Sequence, residues 1–348
     1  MPEQLIAQTP FLLKEQTKML VFENEKIFDS QVISLTNFLQ EGDVLVFNDA
    51  RVIKAKLSAK ILRNLAWLEF NLDQEDKNYD QNHEVQSVWN ALCKPAKKVK
   101  TGDELEIAPD FFAQVLEKTD DGFIKIKFDC SGEKLLNKLE KYGLVPLPPY
   151  IKRAEKNLDD QKNYQTIYAK NGSAVAAPTA GLHFSQKVFD ALATKKIQKT
   201  FVTLNVGAGT FLPVRSDFLH EHKMHSEFFS ISHESAEIIN NAKALGKKIV
   251  AVGTTSLRVL ESSCDKNGMI KPMQKHTKIF IYPPYEFKVV DVLMTNFHLP
   301  KSTLFMLICA FVGKEKAFEI YNHAIAQNYR FYSYGDTSLL FSKNLNSN

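Results

Sequence analysis

The sequence predicts an α/β protein: a mixed-sheet α/β main domain interrupted by an inserted small antiparallel β-barrel domain. Three observations lead there. Residues 43–47, DVLVF, are a short apolar run that follows Gly42 and ends in Asn48-Asp49, the pattern of a buried strand running into a polar loop. From about residue 57 to 128 the chain is a series of β-type runs, LAWLEFNL, VQSVWNALC, DELEI, FFAQVLEK and FIKIKF, separated by turn-forming residues and lysines. Beyond residue 150, strands alternate with helical stretches, as in an open parallel or mixed sheet.

In chain order, residues 1–57 are expected to open the main domain, 58–150 to form the barrel and 151–348 to complete the main domain. The polar stretch from Gln74 to Glu84 reads as an exposed hairpin tip. Ser131 is placed to cap a helix that runs to Tyr142 and stops at Gly143. The prolines of 145–150 block helix and central strand and mark a boundary. Ser185 then caps an amphipathic helix, 201–206 is a strand, and 233–245 is a helix closed by Gly246. Residues 248–252 form a strand that enters a helix near Thr255. Strands at 278–282 and 289–295 and helices at 303–312 and 314–327 complete the expected order.

The chain has 348 residues, of which 44% are hydrophobic and 24% charged, a composition that excludes a disordered, collagenous or coiled-coil protein. Its formal charge of +4 and pI of 8.6 permit a nucleic-acid partner without arguing for one. The four cysteines form no CxxC pair, so neither a zinc ribbon nor an iron–sulfur site is indicated, and reduced thiols are expected. The N-terminal residues lack the pattern of a signal peptide, and the most apolar stretch, 304–312, falls far short of the roughly 20 residues that span a bilayer. A soluble, cytoplasmic protein with no membrane partner is expected.

Several segments can carry chemistry. Gly253-Thr254-Thr255-Ser256 sits at a strand-to-helix turn, where free N–H groups and the helix dipole favour an anion; a plain helix cap is the alternative. Asn205 to Phe211 (NVGAGTF) also follows a strand, but Leu212 stands where the third glycine of a dinucleotide fingerprint belongs, so a structural turn is equally consistent. Ala177 to Phe184 (APTAGLHF) delivers His183 from a small-residue loop, as acid, base or hydrogen-bond donor, or simply as a helix-entry histidine. His220, His222 and His225, with Glu221 and Glu227, invite a metal or a solvated loop. His298 lies just past a strand end, where open α/β sheets place ligands. Asn328 to Asp336 (NYRFYSYGD) interleaves aromatics with Arg330, which suits either base stacking or a core strand. Lys94, Lys97, Lys98 and Lys100, and Lys152 with Arg153, are the densest basic patches.

In their order and wording, FNDARVIKAKL, PLPPYIKR, YQTIYAKNGSAVAAPTAGLHF, FVTLNVGAGTFLPVR, HKMHSE, AVGTTSLRVLES, IFIYPPYEFKVVDVLMTNFHLPKSTL and YRFYSYGD closely resemble the S-adenosylmethionine:tRNA ribosyltransferase-isomerase (QueA) family of queuosine biosynthesis. The resemblance spans nearly the whole chain. It is densest at 44–57 and after Pro146, and thinnest between about 58 and 140, where KILRNLAWLEF replaces the usual basic and glycine-rich opening. Lys18 stands where the family pattern has arginine.

The resemblance implies that the ribosyl part of S-adenosylmethionine is transferred and isomerised onto 7-aminomethyl-7-deazaguanine at the tRNA wobble position. The products are epoxyqueuosine, adenine and methionine. It implies an inserted barrel, no metal and no cofactor beyond S-adenosylmethionine, which is consumed as a substrate; monomer is the default expectation. The sulfonium acidifies the 5′ carbon, so a base must take a proton there, and departing adenine needs a donor. On this basis His183, His225, Glu227, His298 and Asp336 form the expected acid/base pool, with His183 and His225 first. Gly181, Gly207, Gly209, Gly253, Thr254 and Thr255 are expected to cradle the donor, and Arg51 and Arg258 to pair with its carboxylate or with a phosphate. Tyr329, Phe331, Tyr332 and Tyr334 are expected to stack bases, with Arg330, Lys152 and Arg153 on the backbone. Two other readings make different predictions: a non-catalytic tRNA-binding module needs no S-adenosylmethionine, and an ordinary methyltransferase releases S-adenosylhomocysteine.

Overall fold

The computed structural model describes residues 2–76, 86–119, 122–153, 159–207, 224–300 and 302–343. The N-terminal part holds β1 (Lys18–Glu23), β2 (Lys26–Gln31), β3 (Val44–Asn48) and β4 (Ala50–Val52). Next come β5 (Lys56–Ile61), β6 (Trp67–Glu75), β7 (Val88–Lys94), β8 (Glu104–Ala108), β9 (Phe111–Lys118) and β10 (Phe123–Phe128), then helix α1 (Gly132–Tyr142). After the short helix α2 (Asp160–Asn163) follow β11 (Asn171–Ala174), α3 (Gln186–Thr194), β12 (Gln198–Leu204), β13 (Glu227–Ile231) and α4 (His233–Ala244). The chain continues through β14 (Ile249–Val252), α5 (Thr254–Ser263), β15 (Met273–Thr277), β16 (Val292–Asn296), α6 (Thr303–Val312), α7 (Lys314–Ala326) and β17 (Thr337–Phe341).

β5 to β10 close into an antiparallel barrel, and nine strands form a mixed sheet in the order β15-β13-β12-β3-β14-β16-β17-β1-β2. This is the architecture expected from the sequence. β3, β14, β16 and β17 are buried along their whole length, which explains their near-continuous apolar runs. Successive residues serve opposite faces: Val44 and Val46 join a core with α4 to α7, whereas Leu45 and Phe47 join one with α3. The barrel has its own core, onto which α1 lays Leu135 and Leu139.

Topology gathers the polar ends of these strands. β12, β3, β14 and β16 are mutually parallel, so their C-termini share one edge of the sheet. β13 runs against β12, β17 runs against β16, and β1 runs with β17, so all three begin at that same edge. Asn48-Asp49, Asn205-Gly207, Glu227, Gly253, Asn296-His298 and Asp336 are thereby brought to one rim. Phe47 supports it from below, meeting Tyr168 and Phe184 edge-on at 5.1 and 4.8 Å. Replacing Phe47 with alanine would cost about 3–5 kcal/mol and loosen the turn that ends at His183.

Two expectations need correction. Residues 278–282 form no strand; the strand is β15, at Met273–Thr277, whose polar residues pair as an edge with β13. Ile281 instead packs into the core, and the following prolines cannot donate to a ladder. Gln74 is not part of a free tip, because its side-chain amide bonds to the Ser226 carbonyl of the main domain. Residues 77–84 of that expected tip lie outside the described residues. No helix among the described residues is long and apolar enough to cross a membrane.

Candidate active site

His183 ends a short 3-10 turn, Thr179–His183, and is buried with 5% of its surface exposed. Its Nε2 lies 3.2 Å from Asn296 Nδ2 at the end of β16. The orientation of that amide is set by its other contacts: the Thr179 hydroxyl donates to Asn296 Oδ1 at 3.0 Å, and Nδ2 donates to the Tyr332 carbonyl at 3.1 Å. Asn296 therefore presents its second N–H to His183, which makes Nε2 an acceptor and places the ring proton on Nδ1. Burial, reinforced by the Arg330 and Lys14 cations, lowers the His183 pKa to about 3. The imidazole is neutral at physiological pH, with its one N–H on Nδ1.

Four strands along the sheet from β16, Glu227 opens β13 and forms an ion pair with Arg258 of α5, both groups being buried. The Gly207 N–H approaches the other Glu227 oxygen at 3.4 Å. Arg258 uses only Nη1 in this pair; Nε and Nη2 are buried without a partner among the described residues. Thr254 and Thr255 lie four and three residues earlier on the same helix face, and Thr255 Oγ1 is likewise buried and unpartnered. Gly253 precedes them at φ +92°, a conformation that glycine adopts without strain. A methyl at Gly253 would touch Ala180 at 3.6 Å, which puts the α5 N-terminus beside the His183 turn. Guanidinium N–H groups and the first N–H groups of a helix are both donors suited to an anion.

The barrel leans over this end of the rim. A methyl at Gly207 would overlap the Asp73 carboxylate of β6, and His225, exposed, sets its ring 5.8 Å from Phe123 of β10. Gly181 is constrained in the same way, since a methyl there would run into the Tyr168 hydroxyl. These two glycines permit close packing of protein on protein. Gly209, His220 and His222 lie outside the described residues, within which no group of three or more His, Cys, Asp and Glu side chains is placed to hold a metal.

Other expected residues are placed differently. Asp336 accepts from the Arg330 backbone N–H at 2.7 Å and its guanidinium at 3.0 Å, so it holds a turn and is no free acid. Tyr329, Phe331, Tyr332 and Tyr334 are 1, 0, 6 and 2% exposed. Core packing takes their faces, which corrects the expectation that they stack RNA bases. His298 is fastened by Thr295 Oγ1 and the Tyr321 hydroxyl, and burial lowers its pKa to about 4. Arg51 is exposed and close enough to Glu140 of α1 to help lower its pKa. Arg153 is paired with Asp160 at 2.9 Å, while Lys152 is exposed. Asn296 and Thr179 were missed; the signal available was their position at a strand end and in the loop that carries His183.

The chain matches the family described as "Queuosine biosynthesis protein" over residues 1–340. It is 45% identical to the S-adenosylmethionine:tRNA ribosyltransferase-isomerase of Rickettsia bellii, over 99% of this chain and 97% of that one. With the enzyme of the same name from Agrobacterium fabrum it shares 46% identity, over 99% and 98% of the two chains. The crystal structure of S-adenosylmethionine tRNA ribosyltransferase from Thermotoga maritima superposes with a TM-score of 0.53 at 32% identity, covering 98% of each chain. The inserted barrel, the rim of strand ends and these relationships agree: the chain belongs to the S-adenosylmethionine:tRNA ribosyltransferase-isomerase family of queuosine biosynthesis.

Proposed function

We propose that this protein transfers and isomerises the ribosyl group of S-adenosylmethionine onto 7-aminomethyl-7-deazaguanine at the wobble position of a tRNA, giving epoxyqueuosine and releasing adenine and methionine. The observation that supports the site assignment is that a buried imidazole and a guanidinium with two nitrogens unpartnered among the described residues lie along one sheet edge, the α5 N-terminus packing beside the His183 turn. The free edge of Arg258, with the N–H groups that open α5, receives the methionine carboxylate. Glu227 balances that cation and is therefore a positioning group, not the base. His183 offers Nδ1–H to the departing adenine, a task that requires a donor and no change in the protein's own charge. His225, exposed where the barrel meets the rim, is left to take the 5′ proton. In this reading the protein works as a cytoplasmic monomer, with S-adenosylmethionine as a consumed substrate and no other cofactor or metal.

The test is to incubate the protein with S-adenosylmethionine and tRNA bearing the aminomethyl base, then to identify small products and nucleosides by mass spectrometry. Adenine, methionine and epoxyqueuosine in equal amounts are expected. S-Adenosylhomocysteine would make it a methyltransferase, and tight tRNA binding without turnover would make it a binding module.

A further inference from the structure

The aromatics expected to stack RNA are buried, yet an apolar surface stands beside the site. Phe11, Leu12 and Leu13 are 42, 99 and 50% exposed in consecutive positions. Exposed runs of large apolar residues are unusual on a protein surface and mark contact sites. The loop that carries them is held at both ends. Before it, Ala7 N–H bonds to the Phe331 carbonyl at 3.3 Å, and Gln8 bonds to the Tyr150 carbonyl and the Lys152 N–H at 3.0 and 2.8 Å. After it, Gln16 and Thr17 N–H groups bond back to the Leu13 and Lys14 carbonyls at 2.9 and 3.2 Å.

The loop also touches the chemistry. Phe11 and Lys14 line a narrow crevice with His183 and Ser333, and the Arg330 guanidinium lies 4.9 Å above the Phe11 ring. Two cations flank the apolar run: Lys14 is half-buried, which lowers its pKa, and makes no ion pair among the described residues, and Lys152 is exposed next to Gln8. The nearby carboxylates are engaged, Glu15 by Lys187 at 3.9 Å and Asp336 by Arg330 at 3.0 Å. Apolar side chains framed by cations complement a nucleobase flanked by phosphates.

We infer that the loop of residues 10–14 is the surface on which an unpaired base of the tRNA anticodon loop stacks, with Phe11 and Leu12 covering the base and Lys14 and Lys152 receiving its phosphates. The inference rests on the function proposed above. The crevice itself is about 10 Å³, room for one water. The stacked base therefore lies on the outer face of the loop, beside the reacting nucleotide and not in its place.

The test uses Phe11→Ser and Leu12→Ser, alone and together, with thermal melting to establish that each variant folds. Steady-state kinetics should show the KM for tRNA raised about tenfold or more in the double variant, with the KM for S-adenosylmethionine within about twofold of wild type. In parallel, Leu12→p-benzoylphenylalanine should crosslink under light to nucleotides of the anticodon loop. An unchanged KM for tRNA in the double variant overturns the proposal. So does a crosslink that joins two copies of the chain, or co-sedimentation with anionic vesicles that is lost in the double variant while tRNA binding is kept. A Leu12→p-benzoylphenylalanine protein that crosslinks to the anticodon loop, while the wild-type protein binds the tRNA but turns nothing over, would sink the proposed reaction and leave the docking surface standing.

Discussion

Arg258 and Glu227 form a buried ion pair at the rim of the sheet, and two guanidinium nitrogens of Arg258 remain without a partner among the described residues. Glu227 fixes Nη1 of the Arg258 guanidinium, and in the function proposed above the other two nitrogens receive the donor carboxylate.

Removing one partner should strand the other as a buried charge. Arg258→Met is expected to destabilise the protein by about 3–5 kcal/mol, and adding Glu227→Gln should recover part of that loss. Urea denaturation of both single variants and the double variant measures the coupling. Arg258→Lys keeps the charge without the fork, and the KM for S-adenosylmethionine should rise about tenfold with a smaller change in kcat.

His183 as a neutral donor makes a prediction distinct from His183 as a base. His183→Ala should lower kcat by about a hundredfold to a thousandfold. Nitrogen NMR of labelled wild-type protein should find the proton on Nδ1. Asn296→Asp, which offers only acceptor oxygens when ionised, should move that proton to Nε2, raise the His183 pKa and lower kcat.

Stability should fall with acid through the same group. Burial holds His183 near 3 and His298 near 4, below the usual 6.5, so the unfolded chain binds more protons than the folded one between those values. The sign follows: stability rises with pH in that window and is lost as pH falls from about 6.5. Each histidine contributes a slope of up to about 1.4 kcal/mol per pH unit. Thermal melting of His183→Gln and His298→Gln across pH 4 to 7 should show a flatter dependence than wild type.

Gly181 is small because Tyr168 fills its space. Gly181→Ala should therefore lower both melting temperature and kcat, since the added methyl pushes the His183 turn away from the Tyr168 hydroxyl. Gly181→Ala with Tyr168→Phe should regain part of both losses. A role for Gly181 in approaching the donor would show no such rescue.

The main sheet was legible because β3, β14 and β16 are buried on both faces and read as apolar runs, and the barrel because its strands alternate between turns. β15 was misplaced because an edge strand is chosen by the partner it pairs with, not by its own hydrophobicity. In the site, His183, Glu227 and Arg258 could be named from sequence, but the ion pair could not, since it joins residues 31 positions apart across two elements. The partner of Asp336 was hidden for the same reason: its carboxylate accepts from Arg330, a contact that exists only once the turn is formed. The C-terminal aromatics show the limit of composition most clearly. An aromatic cluster with an arginine looks alike whether it faces solvent or core, and here Tyr329 and Phe331 face the core while Phe11 and Leu12, which no motif marked, face outward.

The most direct measurement follows the donor's carbon. S-Adenosylmethionine labelled only in its ribosyl carbons, incubated with the protein and tRNA bearing 7-aminomethyl-7-deazaguanine, should yield a nucleoside that carries the entire label, with adenine and methionine unlabelled. Loss of this transfer in His183→Ala, with tRNA binding retained, would tie it to the rim. A methyl-labelled donor that marks the tRNA while the ribosyl label stays in S-adenosylhomocysteine would contradict the account.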